Sequence, residues 1–128
     1  MLLDTHVLVW AMLVPDYLSR AAYDALSGSS ERVVSAVSLY EIAYKAHLGK
    51  WPEVAPLLAT DLDAGLRANG FEVAAATGAI MERAGGLDWP HRDPFDRLIV
   101  ATAQHRGFKL VSKDGTLDNA PGGIERIW

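Results

Sequence analysis

The chain has 128 residues, half of them hydrophobic and 22% charged, with 16 acidic and 12 basic side chains and a net charge of −4. This composition predicts one globular domain over residues 1–128 and excludes a disordered chain. The absence of cysteine excludes a disulfide scaffold, a thiolate nucleophile and cysteine-based zinc sites. The negative charge argues against a protein that coats nucleic acid by electrostatics alone.

The predicted elements in chain order are a strand at 1–3, helices at 7–13 and 19–26, a strand at 32–34, helices at 38–48 and 52–69, a strand at 71–73, helices at 77–84 and 94–106, and strands at 109–112 and 124–128. Several helix ends carry capping residues: Ser19 before one helix, the Ser38-x-x-Glu41 capping box in another, and Asp93 before Pro94. Short strands that alternate with longer helices predict an α/β domain with a mostly parallel central sheet.

No segment is typical of a membrane span or a signal peptide. The longest apolar run, Val7 to Val14, is much shorter than the ~20 residues that cross a bilayer. Asp4 and His6 also interrupt the apolar N-terminal stretch. We therefore expect no membrane contact, and the lack of cysteine fits a cytoplasmic location.

Four acidic residues fall where predicted strands end or predicted helices begin. Asp4 follows the first strand, Glu41 and Asp96 lie in the first turns of two predicted helices, and Asp114 follows the 109–112 strand. In an open parallel sheet these positions share one edge, so the four side chains are expected to converge. Neighbouring carboxylates repel unless a cation bridges them, and oxygen ligands without cysteine favour Mg²⁺ or Mn²⁺ over zinc.

Each of these acids also has a purely structural interpretation. Glu41 would complete a capping box with Ser38, and Asp96 would interact favourably with the helix dipole. Asp93, at the same edge, is explained by capping, and Asp114 precedes a glycine in a common turn pair. Asp4 has the weakest structural explanation, because other turn residues would serve equally well after a buried strand.

Other chemical motifs are absent. The four histidines show no zinc-binding spacing, and the sequence contains no phosphate-binding loop, dinucleotide fingerprint or hydrolase elbow. The four tryptophans are expected to be core or interface residues rather than a platform for stacking bases. They are Trp10, Trp51, Trp89 and Trp128.

Five segments together carry a family resemblance that spans nearly the whole chain. They are LLDTHVLVW at 2–10, SLYEIA at 38–43, HLGK at 47–50, HRDPFDRLIVA at 91–101 and LVSKD at 110–114. In these segments the chain resembles the PIN-domain ribonucleases of the VapC toxin type. The resemblance implies a PIN-like three-layer sandwich, with a mostly parallel central sheet flanked by helices.

The resemblance also implies an activity and partners. It predicts a Mg²⁺-dependent endoribonuclease that hydrolyses RNA, acts as the toxin of a type II toxin–antitoxin pair, forms a homodimer and is inhibited by a small antitoxin. By position, Asp4, Glu41 and Asp96 match the family's three principal acids and Asp114 the usual fourth. Thr5 matches a hydroxyl residue that often supports the first acid or its water.

Some positions depart from the family pattern. Tyr40 stands where relatives often carry tryptophan, Ser112 replaces a frequent threonine, and Leu117 stands where an aromatic residue is common. The 119–123 stretch is also less typical. Most of these departures cluster near Asp114, whose role is therefore the one that the resemblance defines least.

The mechanism we expect is metal-assisted phosphodiester hydrolysis. Asp4 and Asp96 would hold one Mg²⁺, while Glu41 and Asp114 would hold a second ion or orient water. Basic residues close in sequence to these acids are candidates for binding substrate phosphates, namely Lys45, Lys50, Arg92, Arg97 and Lys113. Alternatively, Arg97 and Lys45 only pair with neighbouring acids, since Glu41 and Lys45 are spaced i,i+4.

The acidic residues alone would also fit two other classes of protein. A phosphoaspartate phosphatase needs an early Asp-x-Asp, whereas position 6 here is His, and a receiver domain gives no reason for the DPFDR segment. A non-catalytic PIN-like module that binds RNA or protein stays open as the alternative.

Overall fold

Five short parallel strands form one sheet. In the computed structural model, which describes all residues from Met1 to Trp128, the strands are β1 Leu2–Leu3, β2 Arg32–Ser35, β3 Phe71–Ala74, β4 Leu110–Val111 and β5 Arg126–Ile127. Their order in the sheet is β3-β2-β1-β4-β5. The central strand β1 pairs with β2 on one side and with β4 on the other. The predicted parallel sheet is therefore confirmed, and all of its neighbouring strands are parallel.

Six α-helices connect and flank these strands. They are α1 Thr5–Leu13, α2 Arg20–Gly28, α3 Ala36–His47, α4 Leu62–Ala68, α5 Gly78–Gly86 and α6 Pro94–Arg106, with 3₁₀ segments at Pro15–Tyr17, Pro52–Leu58 and Gly115–Asn119. None of the helices is long and apolar enough to cross a bilayer.

The sheet has a hydrophobic core on each face. Successive strand residues point to opposite faces, so Leu3 and Val34 pack with residues of α1, α2, α3 and α4. Leu2 and Val33 instead pack with residues of α6 on the other face. Both faces of β1 and β4 are thereby removed from water, which explains why these two strands are apolar throughout. The predicted three-layer arrangement of helices, sheet and helices is confirmed.

Local capping chemistry sets most helix boundaries. The Ser19 side chain accepts a hydrogen bond from Ala22 N at 3.1 Å and begins α2. Asp93 accepts one from Phe95 N at 2.8 Å and begins α6, which ends at Gly107 with a left-handed φ of 66°. These boundaries agree with the sequence prediction, because each depends on residues next to the helix end.

Two predicted boundaries are wrong. Helix α3 begins at Ala36 with Ser35 as its cap, so Ser38 and Glu41 do not form a capping box. The predicted 52–69 helix is divided into a 3₁₀ segment and α4. Pro56 has no amide hydrogen to continue a helix, and the Asp61 side chain caps a new one through Ala64 N at 3.0 Å.

Candidate active site

A cleft of about 270 Å³ lies at the carboxyl edge of the sheet, where β1, β2 and β4 end. The structure brings together in it all four acids singled out from the sequence. The residues that line the cleft are Asp4, His6, Trp10, Glu41, Lys45, Asp93, Asp96, Lys113 and Asp114.

Asp4 is a buried carboxylate between β1 and α1. One of its oxygens accepts a hydrogen bond from His6 N at 3.3 Å and thereby caps α1. The other accepts a hydrogen bond from Ser112 Oγ at 2.5 Å. Burial raises the pKa of Asp4 above its ordinary value, Ser112 and His6 oppose that shift, and the charge of Glu41 adds to it.

Glu41 lies in the second turn of α3 with only 4% of its surface exposed. Its Oε1 accepts a hydrogen bond from Lys45 Nζ at 2.5 Å, one helical turn later. The capping interpretation of Glu41 is excluded, because Ser35 already caps the helix. The alternative interpretation of Lys45 as the partner of a neighbouring acid is confirmed.

Asp96 lies in the first turn of α6 and contacts His91. The distance from His91 Nε2 to Asp96 Oδ2 is 2.7 Å. The pKa of Asp96 is raised to about 6, mainly by burial; the hydrogen bond with His91 opposes this shift, and the charges of Asp93 and Asp4 add to it.

Asp93 and Asp114 both cap helical segments at the edge of the cleft. Asp93 caps α6, as predicted. Asp114 Oδ1 accepts a hydrogen bond from Thr116 N at 2.8 Å and begins the last 3₁₀ segment. Both residues therefore have a local structural role in addition to their place in the cleft.

The hydroxyl that supports Asp4 differs from the one that the resemblance implies. Thr5 is completely buried, and its Oγ1 donates to Ser38 Oγ at 3.0 Å in the interior. Its position at the start of α1 directs it toward α3 instead of toward the Asp4 carboxylate. Ser112 holds that carboxylate and also accepts a hydrogen bond from Asp114 N at 3.1 Å, so it joins two acids of the cleft.

Arg97 has a structural role that the sequence reasoning missed. Its guanidinium donates hydrogen bonds of 2.6–3.4 Å to five backbone carbonyls in the 84–91 segment. The interpretations of Arg97 as a phosphate ligand and as the partner of an acid are therefore both wrong, because its donors are used by these carbonyls.

His91 is a second residue whose structural role the sequence reasoning missed. The His91 ring stacks on Trp89 at 4.4 Å and forms a hydrogen bond with Asp96. Arg97 donates a hydrogen bond to the His91 backbone carbonyl. No histidine spacing could indicate this contact; the available signal was that His91 and Arg97 both belong to the HRDPFDR segment. Among the five basic candidates for phosphate binding, only Lys45 and Lys113 line the cleft.

The donor chemistry of the cleft fits a hard divalent cation. The carboxylates supply oxygen ligands, and each retains acceptor capacity beyond its present partner. Burial and mutual repulsion raise two of their pKa values, which a cation would counteract. In their present positions, however, no three acidic or histidine side chains converge closely enough to share an ion.

Comparison with known proteins assigns the chain to a family. The model of the PIN domain family matches residues 1–123, and the chain belongs to that family. Among its relatives, ribonuclease VapC22 of Mycobacterium tuberculosis is 36% identical over 118 residues, which are 91% of this chain and 88% of that protein. The resemblance to VapC-type PIN domains is thereby confirmed.

Solved structures share the fold over almost the entire chain. VapBC2 from Rickettsia felis, solved with a DNA fragment from its promoter, has a TM-score of 0.70 at 19% identity and covers 99% of this chain and 98% of its own. A toxin–antitoxin complex from Klebsiella pneumoniae has a TM-score of 0.62 at 18% identity, with 96% and 93% covered.

Proposed function

We propose that the protein is a metal-dependent endoribonuclease and the toxin of a type II toxin–antitoxin pair. The observation that carries this proposal is the convergence of Asp4, Glu41, Asp96 and Asp114, from four distant segments, in one cleft. The ribonuclease relative and the toxin–antitoxin complex of similar fold support it.

The four acids would act as two pairs in the proposed reaction. Asp4 and Asp96 would hold one Mg²⁺ or Mn²⁺, and Glu41 and Asp114 would hold a second ion or orient water. When bound, the ion would lower the pKa of a water molecule and would stabilise negative charge on the phosphate. Ser112 fixes the orientation of Asp4, and His91 fixes that of Asp96, because each forms a hydrogen bond with the carboxylate directly.

The two lysine side chains in the cleft have different roles in this proposal. Lys45 is bound to Glu41 and holds that carboxylate in place. Lys113 pairs with no carboxylate of the chain, so its ammonium group is available for a phosphate of the substrate. The local charge that RNA meets thus differs from the bulk charge of −4.

Substitution of one carboxylate tests the proposal. We expect Asp4→Asn to reduce cleavage of a structured RNA in Mg²⁺ or Mn²⁺ to the background seen with EDTA, because one ligand oxygen becomes an amide. Asp16→Asn is the matched control, since Asp16 is exposed and outside the cleft. Cleavage by Asp4→Asn at the rate of the control would refute the assignment of Asp4.

The proposed partners are an antitoxin and a second copy of the chain. Exposed aromatic side chains on α3 support the homodimer: Tyr40 and Tyr44 are 61% and 45% exposed and stack on each other at 5.6 Å. Co-expression with the product of the adjacent open reading frame tests the antitoxin. We expect a stable complex whose RNA cleavage is suppressed, and independent purification of both proteins would contradict it.

One observation favours a second candidate function, a non-catalytic module that binds RNA or protein. The acids of the cleft are not arranged as a complete ligand set, and Lys45 and His91 bond two of them. The same cleavage assay distinguishes the two functions, since a binding module would cleave no RNA with either metal.

A further inference from the structure

An aromatic wall, defined here as His6, Trp10, Tyr17 and Trp51, borders the acidic cleft. The ring of His6 lies 4.7 Å from that of Trp51 and 6.0 Å from that of Trp10, and Trp10 lies 6.2 Å from Tyr17. The expectation of a core or interface role holds for Trp89, which is buried. Trp10 and Trp51, in contrast, are only partly buried, and His6 and Tyr17 are exposed.

The wall continues from the cleft into an apolar groove of about 520 Å³. Trp10 lines both the cleft and the groove, so the two cavities adjoin at its ring. Six of the seven residues that line the groove are hydrophobic, and its volume is within the ~300–1,000 Å³ typical of sites for small organic groups.

A lysine accompanies each tryptophan of the wall. Lys113 Nζ lies 5.8 Å from the centre of the Trp10 ring, and Lys45 Nζ lies 5.7 Å from that of Trp51. Lys113 makes no ion pair, so its charge is available to an incoming anion. Flat aromatic rings with adjacent cations are the chemistry that binds single-stranded nucleic acid, because bases stack while phosphates meet the charges.

We propose that the aromatic wall is a nucleobase-binding subsite for single-stranded RNA. Bases next to the scissile phosphate stack on Trp51, Trp10 and Tyr17, and a neighbouring phosphate contacts Lys113. This inference rests on the proposed function, since it places the scissile phosphate in the acidic cleft. The strand must be unpaired there, because a duplex hides the faces of its bases.

The wall favours RNA over an apolar segment of a partner protein. An apolar peptide would fill the groove but would leave the ammonium group of Lys113 unpaired and would offer no planar group to the exposed side chains of His6 and Tyr17. A nucleotide satisfies both requirements, since it carries an anion and a π-face on one unit.

Binding to RNA that cannot be cleaved tests the subsite. The background protein carries Asp4→Asn and Asp96→Asn, which remove the proposed metal ligands and also reduce repulsion of phosphate. The probes are an oligoadenylate of about eight nucleotides and an abasic ribose-phosphate chain of the same length, titrated by calorimetry and by tryptophan fluorescence.

We expect the oligoadenylate to bind and to quench tryptophan fluorescence, and the abasic chain to bind at least about tenfold more weakly. In the same background, Trp51→Leu and Tyr17→Leu should each weaken oligoadenylate binding by about tenfold. The matched control is Tyr23→Leu, because Tyr23 is a 51% exposed aromatic residue of α2 that lies outside the cleft and the groove.

Three outcomes would overturn the subsite: no binding of the oligoadenylate, equal binding of the abasic chain, or wall variants that bind like Tyr23→Leu. If wall variants that bind RNA like Tyr23→Leu also lose affinity for a co-expressed protein partner, the groove is a protein-docking surface. Metal-dependent cleavage by the protein without substitutions is measured separately. Failure of the proposed function is therefore distinguishable from failure of the subsite.

Discussion

Asp4 depends on a hydroxyl group that lies 108 positions away in the chain. Ser112 follows β4, and β4 pairs directly with β1, so the sheet brings Ser112 beside Asp4. The adjacent hydroxyl of Thr5 is turned inward to Ser38. The two hydroxyl groups therefore have different consequences when they are removed.

We expect Ser112→Ala to weaken Mg²⁺ binding by about tenfold, because the carboxylate that holds the ion loses its orienting partner. Thr5→Val should leave the Mg²⁺ affinity unchanged and lower the free energy of unfolding by about 1 kcal/mol, since it breaks a buried hydrogen bond. Calorimetric titration with Mg²⁺ and urea denaturation measure the two effects. A weaker Mg²⁺ affinity in Thr5→Val alone would restore the role that the resemblance implies for it.

The pKa of Asp96 predicts how stability depends on pH. Its value of about 6 in the folded protein exceeds the unfolded value of 3.8. At a pH between these two values, the folded state therefore binds more protons than the unfolded state. The free energy of unfolding therefore falls as pH rises from about 4 to about 6 and stays low above that.

Asp96→Asn should remove the part of this fall that Asp96 causes in the metal-free protein, while the raised pKa of Asp4 still contributes in the same direction. Without an ionisable group, the variant should exceed the original chain in stability at pH 7 by about 1 kcal/mol, after allowance for solvent screening of a partly exposed carboxyl. Urea denaturation in EDTA at pH 4 and pH 7 provides the comparison. If the variant shows no advantage at pH 7, the carboxyl does not destabilise the folded state.

At the scale of elements, Arg97 joins α6 to the segment that precedes it. The planar guanidinium reaches the end of α5 through Ala84 and Gly85, and reaches the loop through Leu87, Trp89 and His91. The loop is thereby fixed where His91 meets Asp96. A single side chain thus couples the packing of α5 and α6 to the edge of the cleft.

We expect Arg97→Lys to lower the free energy of unfolding by about 2–3 kcal/mol, because an ammonium group cannot span carbonyls that the guanidinium fork reaches. Arg106→Lys, in an exposed ion pair of the same helix, is the control and should change stability by less than about 0.5 kcal/mol. Urea denaturation measures both variants. Equal stability of the two would show that only the charge of Arg97 matters.

The sequence predicts the elements better than it predicts the contacts between them. Caps such as Ser19 and Asp93 and the terminator Gly107 act within a few residues, so a linear pattern reveals them. The helix that carries Glu41 was misplaced because Ser35 and Ser38 are both plausible caps, and only packing decides between them.

The sequence also predicted which acids would meet, because parallel-sheet topology alone carries Asp4, Glu41, Asp96 and Asp114 to one edge. It could not predict their partners. The bonds from Ser112 to Asp4 and from His91 to Asp96 depend on side-chain directions after packing, and no periodicity in the sequence encodes them.

At the scale of the whole molecule, the acidic cleft makes stability depend on divalent cations. We expect Mg²⁺ at ten times its dissociation constant to raise the free energy of unfolding by about 1.4 kcal/mol, because it binds the folded state alone. EDTA should reverse the change. The variant with Asp4→Asn and Asp96→Asn should show no such response in thermal denaturation, and an equal response would place the binding elsewhere on the protein.

The central position of β1 also determines when the cleft can form during synthesis. The strand β1 is synthesised well before β4, its neighbour in the sheet, and the hydrogen bond to Asp4 comes from Ser112, which follows β4. At roughly 5–20 residues per second, the ribosome adds Ser112 several seconds after Asp4. The proposed nuclease therefore has an incomplete site on its own nascent chain, and its long-range strand pairing predicts slow folding after release.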